Sequence, residues 1–294
     1  MSTDRNERRA GFTLIELLVV ISIIAFVAGL LVLFGPGLFK NAKASRGAQT
    51  VQGVLFIAKQ QALRDKAPYG VRLLTDADGQ VRSLQYIQLP PDYTGGTAQA
   101  ATDNTTTPPT FSVTFVLPPG QSNLWGGYGP GDPTLWSVQP GDFISIRGGT
   151  MHRITGVTPT AVTLASDATN GAGTSLPATE YRIVRSPRAV PGEDVINLPD
   201  DVIVDMTRSL IAADGATGNF DILFAPWGTV LGSAGQSGKV VLWVRDSTQD
   251  PATTIEQSLI TVFTRSGLIA SYEVDTGSGN PYSFVLDPRA AGGL

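Results

Sequence analysis

Between Phe12 and Phe34 the only ionisable side chain is Glu16. A carboxylate in such a run is costly, about 2.5–3.5 kcal/mol for an acid at the centre of a membrane helix, and intramembrane ionisable groups have a partner and a role. Glu16 lies four residues inside the run, near enough to one end for snorkelling to reduce that cost. Elsewhere reactive chemistry is sparse. His152 is the sole histidine, flanked by Met151 and Ile154 in a strand-like pattern, and reads as a solvated or core-satisfied imidazole rather than a general base. Cysteine is absent, so disulfides and thiol chemistry are excluded and the common zinc sites with them. No Gly-x-Ser-x-Gly segment appears, and Gly277-Ser278-Gly279-Asn280 lacks the lysine and helix of a phosphate loop. No catalytic residue, resident cofactor or metal ligand is therefore assigned. Asp76-x-Asp78-Gly79 opens like a calcium loop but lacks the glutamate at the twelfth position, so it is read as a hairpin turn. Calcium through loop oxygens stays open, with no cluster located.

The elements that position Glu16 follow from spacing. Residues 12–34 form an apolar run whose length, at about 1.5 Å per residue, matches the roughly 30 Å hydrocarbon core of a bilayer. Residues 1–11 are short and polar and carry Arg5, Arg8 and Arg9, which by the positive-inside rule keeps this end cytoplasmic. Gly35-Pro36-Gly37 predicts a kink or brief break. Over 35–65, Ala42, Ala48, Val51, Val54, Leu55, Ala58, Ala62 and Leu63 recur at three- and four-residue spacing, so an amphipathic helix continues to about Asp65, and Pro68 stops it.

The run Gly11-Phe12-Thr13-Leu14-Ile15-Glu16, between a basic leader and about twenty apolar residues, resembles the class III signal of type IV prepilins and pseudopilins. The resemblance implies cleavage by a prepilin peptidase between Gly11 and Phe12, N-methylation of Phe12, and a Glu16 that meets the Phe12 amine of a neighbouring subunit during assembly. It also implies a bacterial inner-membrane, single-pass protein with its C-terminal domain in the periplasm. Other pilins or pseudopilins, the peptidase, an inner-membrane assembly platform and membrane lipid would be its partners.

The remaining residues, about 230, suffice for one large or two small domains. Many Gly, Pro and Thr residues and frequent Val and Ile predict a β-rich unit, making the whole α+β: a long N-terminal helix packed on an antiparallel sheet. The sheet domain is expected from 66–89 and 191–286. Within the first part, Tyr69–Leu74 and Val81–Leu89 alternate as a hairpin; within the second, hairpin-linked strands include Val202–Met206, Phe220–Ala225, Lys239–Arg245, Ser258–Thr264 and Leu268–Val274. Between them, 90–190 is expected to be a β-rich insertion of short strands in a meander or barrel-like arrangement, beginning with a polar loop from Pro90 to Pro109. Its segment from Leu124 to Trp136 holds two tryptophans and Tyr128 among glycines and prolines, either a contact surface or a cover for the insertion's own core. Residues 287–294 are expected to be a flexible tail.

Arg46-Gly47-Ala48-Gln49, Leu198-Pro199-Asp200-Asp201-Val202, Ile222 to Gly228, Val240 to Val244 and Ile260 to Ile269 are similar to the H-type minor pseudopilin of type II secretion and to FimT-like minor pilins. That resemblance implies a structural subunit of a secretion pseudopilus or pilus-like filament, not an enzyme. A DNA-uptake minor pilin is the alternative, but the net charge is −4, and losing the leader, with three Arg and two acids, makes it more negative. After Arg245 the only cations are Arg265 and Arg289, which weighs against nucleic acid. A membrane-anchored extracytoplasmic binding protein or hydrolase using 90–190 is a further alternative.

Overall fold

A computed structural model describes residues 14–169, 175–215, 217–250, 257–275, 277 and 279–286, with the side chains of 30–42 outside that description. The expected leader, the Gly11–Phe12 bond and the tail 287–294 lie outside the described residues. The architecture is α+β. One helix, α1 (Leu14–Asp65), carries 52 residues. It runs through Gly35-Pro36-Gly37 without the break expected there. One proline removes one backbone hydrogen bond, at about 3 kcal/mol, and the turns on either side retain theirs. The helix ends where Lys66 turns left-handed, φ 51°, two residues before Pro68.

The second half of α1 lies on a sheet because its small and branched residues repeat on one side. Ala44, Ala48, Val51, Leu55, Ala58 and Ala62 are all buried. Gly47 marks the tightest approach: a Cβ there would sit 2.2 Å from Val202 Cγ1. Two lysines tie the helix at its flanks. Lys43 Nζ donates to Asp201 Oδ2 at 2.7 Å, and Lys59 Nζ donates to the carbonyls of Gly267 at 2.8 Å and Ser266 at 3.3 Å.

That first sheet is antiparallel, in the order Val230–Leu231, Phe220–Phe224, Tyr69–Thr75, Gln80–Gln88, Val202–Asp205, Lys239–Asp246, Ser258–Phe263 and Leu268–Glu273. The Tyr69–Thr75 and Gln80–Gln88 hairpin is present, and Asp76 Oδ1 accepts from the amides of Asp78 and Gln80 while Gly79 adopts φ 68°, so this segment is a turn. Along its other edge Gln80–Gln88 is paired in succession by Val202–Asp205, Ile196–Asn197 and Arg188–Ala189. On the face away from α1, Val241, Trp243 and Leu259 are covered by Val285 and Tyr282.

A second sheet runs in the order Tyr93–Thr94, Tyr181–Val184, Phe143–Ile146, Met151–Val157, Ala161–Leu164, Thr110–Val116 and Thr97–Asp103. Its ends approach one another. Ala98 exchanges backbone hydrogen bonds with Thr179, and Leu176 N donates to Ala100 O at 2.9 Å, so the sheet curls into a barrel-like unit. Val113, Leu124, Ile144, Ile154 and Ile183 fill its own core. The polar loop expected over Pro90 to Pro109 is a correction: Thr97–Asp103 is a strand, paired residue for residue with Thr110–Val116. Its inward residues are Ala98 and Ala100, too small to give the alternation that betrays a strand.

Candidate functional site

Glu16 sits in the first turn of α1 and is exposed there. A carboxylate at that end is favoured by the helix dipole, which concentrates positive charge on the unsatisfied N–H groups of the first turn. Leu14, Ile15, Leu17, Leu18 and Phe26 surround the helix with exposed apolar surface, from 58 % to 81 % accessible. Gly11 and Phe12, the expected cleavage and methylation positions, lie outside the described residues. Among the described residues no helix is long and apolar enough to cross a membrane.

Farther along α1 the side turned from the sheet carries Gln49, Gly53, Phe56, Ile57, Gln60 and Leu63, of which Phe56 and Ile57 are half exposed. No charge interrupts this stripe. Nothing approaches the Cβ position of Gly53. Beside it, the turns at Pro226-Trp227-Gly228 and Ser266-Gly267 close around the Lys59 stem, whose Cε would lie 3.4 Å from a Cβ at either Gly228 or Gly267. Trp227 is 71 % exposed and Leu268 is exposed too. Apolar surface thus occurs at both ends of one helix, with the sheet fixed to its second half.

His152 is buried and satisfied. Its Nε2 lies 2.9 Å from Thr150 Oγ1 and its Nδ1 2.9 Å from Ser166 Oγ, so both ring nitrogens face hydroxyls and neither faces an acid. The tryptophans pack on each other, with ring centroids 5.2 Å apart and planes at 24°, and Trp136 Nε1 donates to Gly129 O. Self-packing is the outcome for that pair, whereas Tyr128 remains half exposed. Among the described residues no three potential metal-ligating side chains come together.

Three arginine–aspartate pairs escape any reading of local pattern. Arg188 Nη2 donates to Asp142 Oδ2 at 2.8 Å, and the same carboxylate accepts from the amides of Gln139 and Ser186. Burial pushes the Asp142 carboxyl up, against the pull of Arg188. Arg188 also donates to the carbonyls of Trp136 and Ser137, so this pair fastens the second sheet to the strand that joins Gln80–Gln88. Arg72 grips Asp221 with two nitrogens, both at 2.7 Å, and reaches Pro187 O from the first sheet. Arg245 Nε donates to Asp205 Oδ2 at 2.8 Å. Burial raises Asp205, but hydrogen bonds from Thr207 and Arg245 and the Arg245 charge outweigh it and hold the carboxyl below its ordinary value.

Residues 7–32 match the prokaryotic N-terminal methylation motif. The chain carries a type IV pilin-like signal. It is a signal of membrane anchoring, and it runs directly into α1. The pilin-like segment therefore includes Glu16 and the exposed apolar turns around it. Comparison with curated proteins gives no match. Among solved structures the chain is similar to the phage phi92 endosialidase, with a TM-score of 0.22 and 8 % identity over 71 % of this chain. The chain spans 36 % of the length of that protein. A likeness of that size says nothing of the pilin-like chain's activity.

Proposed function

We propose that the chain is a minor pilin-like subunit of a filament, of the H-type of type II secretion pseudopili or a FimT-like relative. It is cleaved between Gly11 and Phe12, methylated on Phe12 and anchored in the inner membrane with its sheets outside the cytoplasm. The observation that carries the reading is the motif at 7–32 continuing without interruption into a 52-residue helix. That helix divides its labour. Its first turns expose apolar side chains that need lipid or another helix, and its second half is packed on the sheet. Glu16 would take the Phe12 amine of a neighbour, a pairing that satisfies two charges lipid cannot solvate. The reading assigns no catalysis.

The test is the intact mass and N-terminal state of the protein from its native membrane, in wild type, Gly11→Ala and Glu16→Ala. The expected wild-type product begins at N-methylated Phe12, and Gly11→Ala is expected to stay full length. Glu16→Ala is expected to be cut yet absent from sheared filaments. A wild-type chain that still begins at Met1 or Ser2 overturns the proposal.

A further inference from the structure

The second sheet carries a cavity of about 340 Å³ between the 120–127 loop, Tyr93 and Ser137. Its side-chain lining is neutral throughout: Tyr93, Gln121, Ser122, Asn123 and Ser137, with glycine backbone completing the wall. Gly126 and Gly127 adopt φ 71° and 92°, and a Cβ on Gly126 would fall 2.0 Å from Ser137 Oγ, so this wall must be glycine. The polar groups are only half used. Tyr93 Oη donates to Gln121 Oε1 at 2.7 Å, and Asn123 Oδ1 accepts weakly from Gly127 N at 3.3 Å. The Gln121 and Asn123 amide nitrogens and the Ser122 and Ser137 hydroxyls make no hydrogen bond among the described residues. Arg185 is the nearby cation, and its guanidinium is directed at the carbonyls of Pro91, 2.6 Å, and Ser137, 3.4 Å.

One further donor next to this wall is shut from solvent without a partner. It is the indole N–H of Trp125, which immediately precedes Gly126 in the wall. An unsatisfied buried donor costs about 1–3 kcal/mol, and each such group calls for an explanation. A concave site with amides, hydroxyls and a phenol in place of charges selects by hydrogen-bond pattern. An ionic ligand would find no counter-charge in the lining. An apolar one would leave the amides unpaired.

We propose that this cavity binds a neutral polyhydroxylated ligand, a sugar ring, held by Gln121, Ser122, Asn123 and Ser137. The filament reading is not required for it. The test uses the full chain in a detergent without a glycoside headgroup, with saturation-transfer NMR on the methyl glycosides of glucose, galactose and N-acetylglucosamine. Glucuronic acid and glucosamine are the charged comparators. Transfer to at least one neutral probe is expected, and Asn123→Ala should weaken it about tenfold, the equivalent of about 1.4 kcal/mol. Ser122 is exposed, so Ser122→Trp should block the mouth and abolish transfer while the thermal melt is unchanged. The proposal is overturned by no transfer to any neutral probe, by transfer that survives both variants in folded protein, or by equal transfer to the charged sugars. Gly11→Ala should bind as wild type does, so failure of the filament reading and failure of this one are separately visible.

Discussion

The two sheets bury their apolar faces in different ways. The first is a broad antiparallel sheet that cannot cover itself; α1 lies on one face and the Tyr282–Val285 segment on part of the other. The second curls until Ala98 meets Thr179, and its interior is filled from its own strands. The difference teaches where sequence change is tolerated. In the first sheet the helix proposed to assemble the filament also supplies the core, so its inner face answers to the sheet and only its outer face is free to vary for partners. The second sheet owes the helix nothing.

Matched core truncations give the largest effects and could break the comparison outright. Leu55, beneath α1, and Ile154, in the second sheet, are both fully buried. Leu55→Ala and Ile154→Ala should each cost about 2–5 kcal/mol. Hydrogen exchange is expected to lose protection in the first sheet alone for Leu55→Ala and in the second alone for Ile154→Ala. Protection lost across both sheets in either variant would show one cooperative unit and end the distinction.

Next in size is the fastening between them. Arg188→Ala leaves Asp142, almost wholly buried, without its cation, an imbalance worth about 3 kcal/mol. A Tm decrease together with faster exchange at Ser186 and Gln139, whose amides hold the same carboxylate, is the expected result. A variant as stable as wild type would mean the sheets are held without this pair, by contacts such as the backbone pairing at Arg188–Ala189 and Arg72 to Pro187 O.

Acid should separate the two carboxylates by sign. Asp205 is held below its unfolded value of about 3.9, so its stabilisation is complete above that pH and is lost as pH falls through the lower folded value. Asp142 is raised by burial, so its contribution is least favourable above the raised value and improves as pH falls toward the ordinary carboxylate value. Asp205→Asn should therefore flatten the acid limb of the stability–pH curve below about pH 4, and Asp142→Asn should not. An acid limb unchanged in Asp205→Asn would remove Asp205 from the account.

How much of this was legible in the sequence depends on range. The α1 stripe, the Tyr69–Gln88 hairpin and the strands around Trp243 are written in local apolar periodicity, which is set by the same 3.6- and 2-residue repeats that bury them. Thr97–Asp103 was hidden because alanine fills its inward positions. The arginine–aspartate pairs were hidden because their partners stand 149, 46 and 40 residues apart, a spacing fixed by topology and by no local pattern. One local signal was present and missed. Asp-x-Thr recurs at Asp103, Asp132, Asp167, Asp205 and Asp246, and in each the aspartate accepts from both the amide and the hydroxyl of the threonine two residues on. That repeat marks turns, and at Asp205 it also orients the carboxylate that Arg245 meets. For the candidate site, Glu16 was evident as the sole charge in its run, while the Trp227 and Leu268 surface beside Lys59 became visible only once two distant turns were brought together.

The smallest expected effect on stability tests the division of α1 most directly. Phe56 and Ile57 point away from the sheet, and Phe56→Ser with Ile57→Ser removes apolar surface that the folded chain leaves in water. Each change should alter stability by no more than about 0.5 kcal/mol, as exposed positions away from caps and cores do. Gly47→Ala is the contrast, a smaller chemical change on the inner face that forces a methyl toward Val202 and should destabilise by about 1–3 kcal/mol. If the outer stripe is reserved for a neighbouring subunit, the serine variants should melt with wild type yet recover poorly in sheared filaments, and filaments should tolerate Gly47→Ala in proportion to the folded protein that remains. Normal filament recovery from the serine pair would shift assembly to the first turns of α1, whose apolar side chains are the other exposed surface among the described residues of that helix.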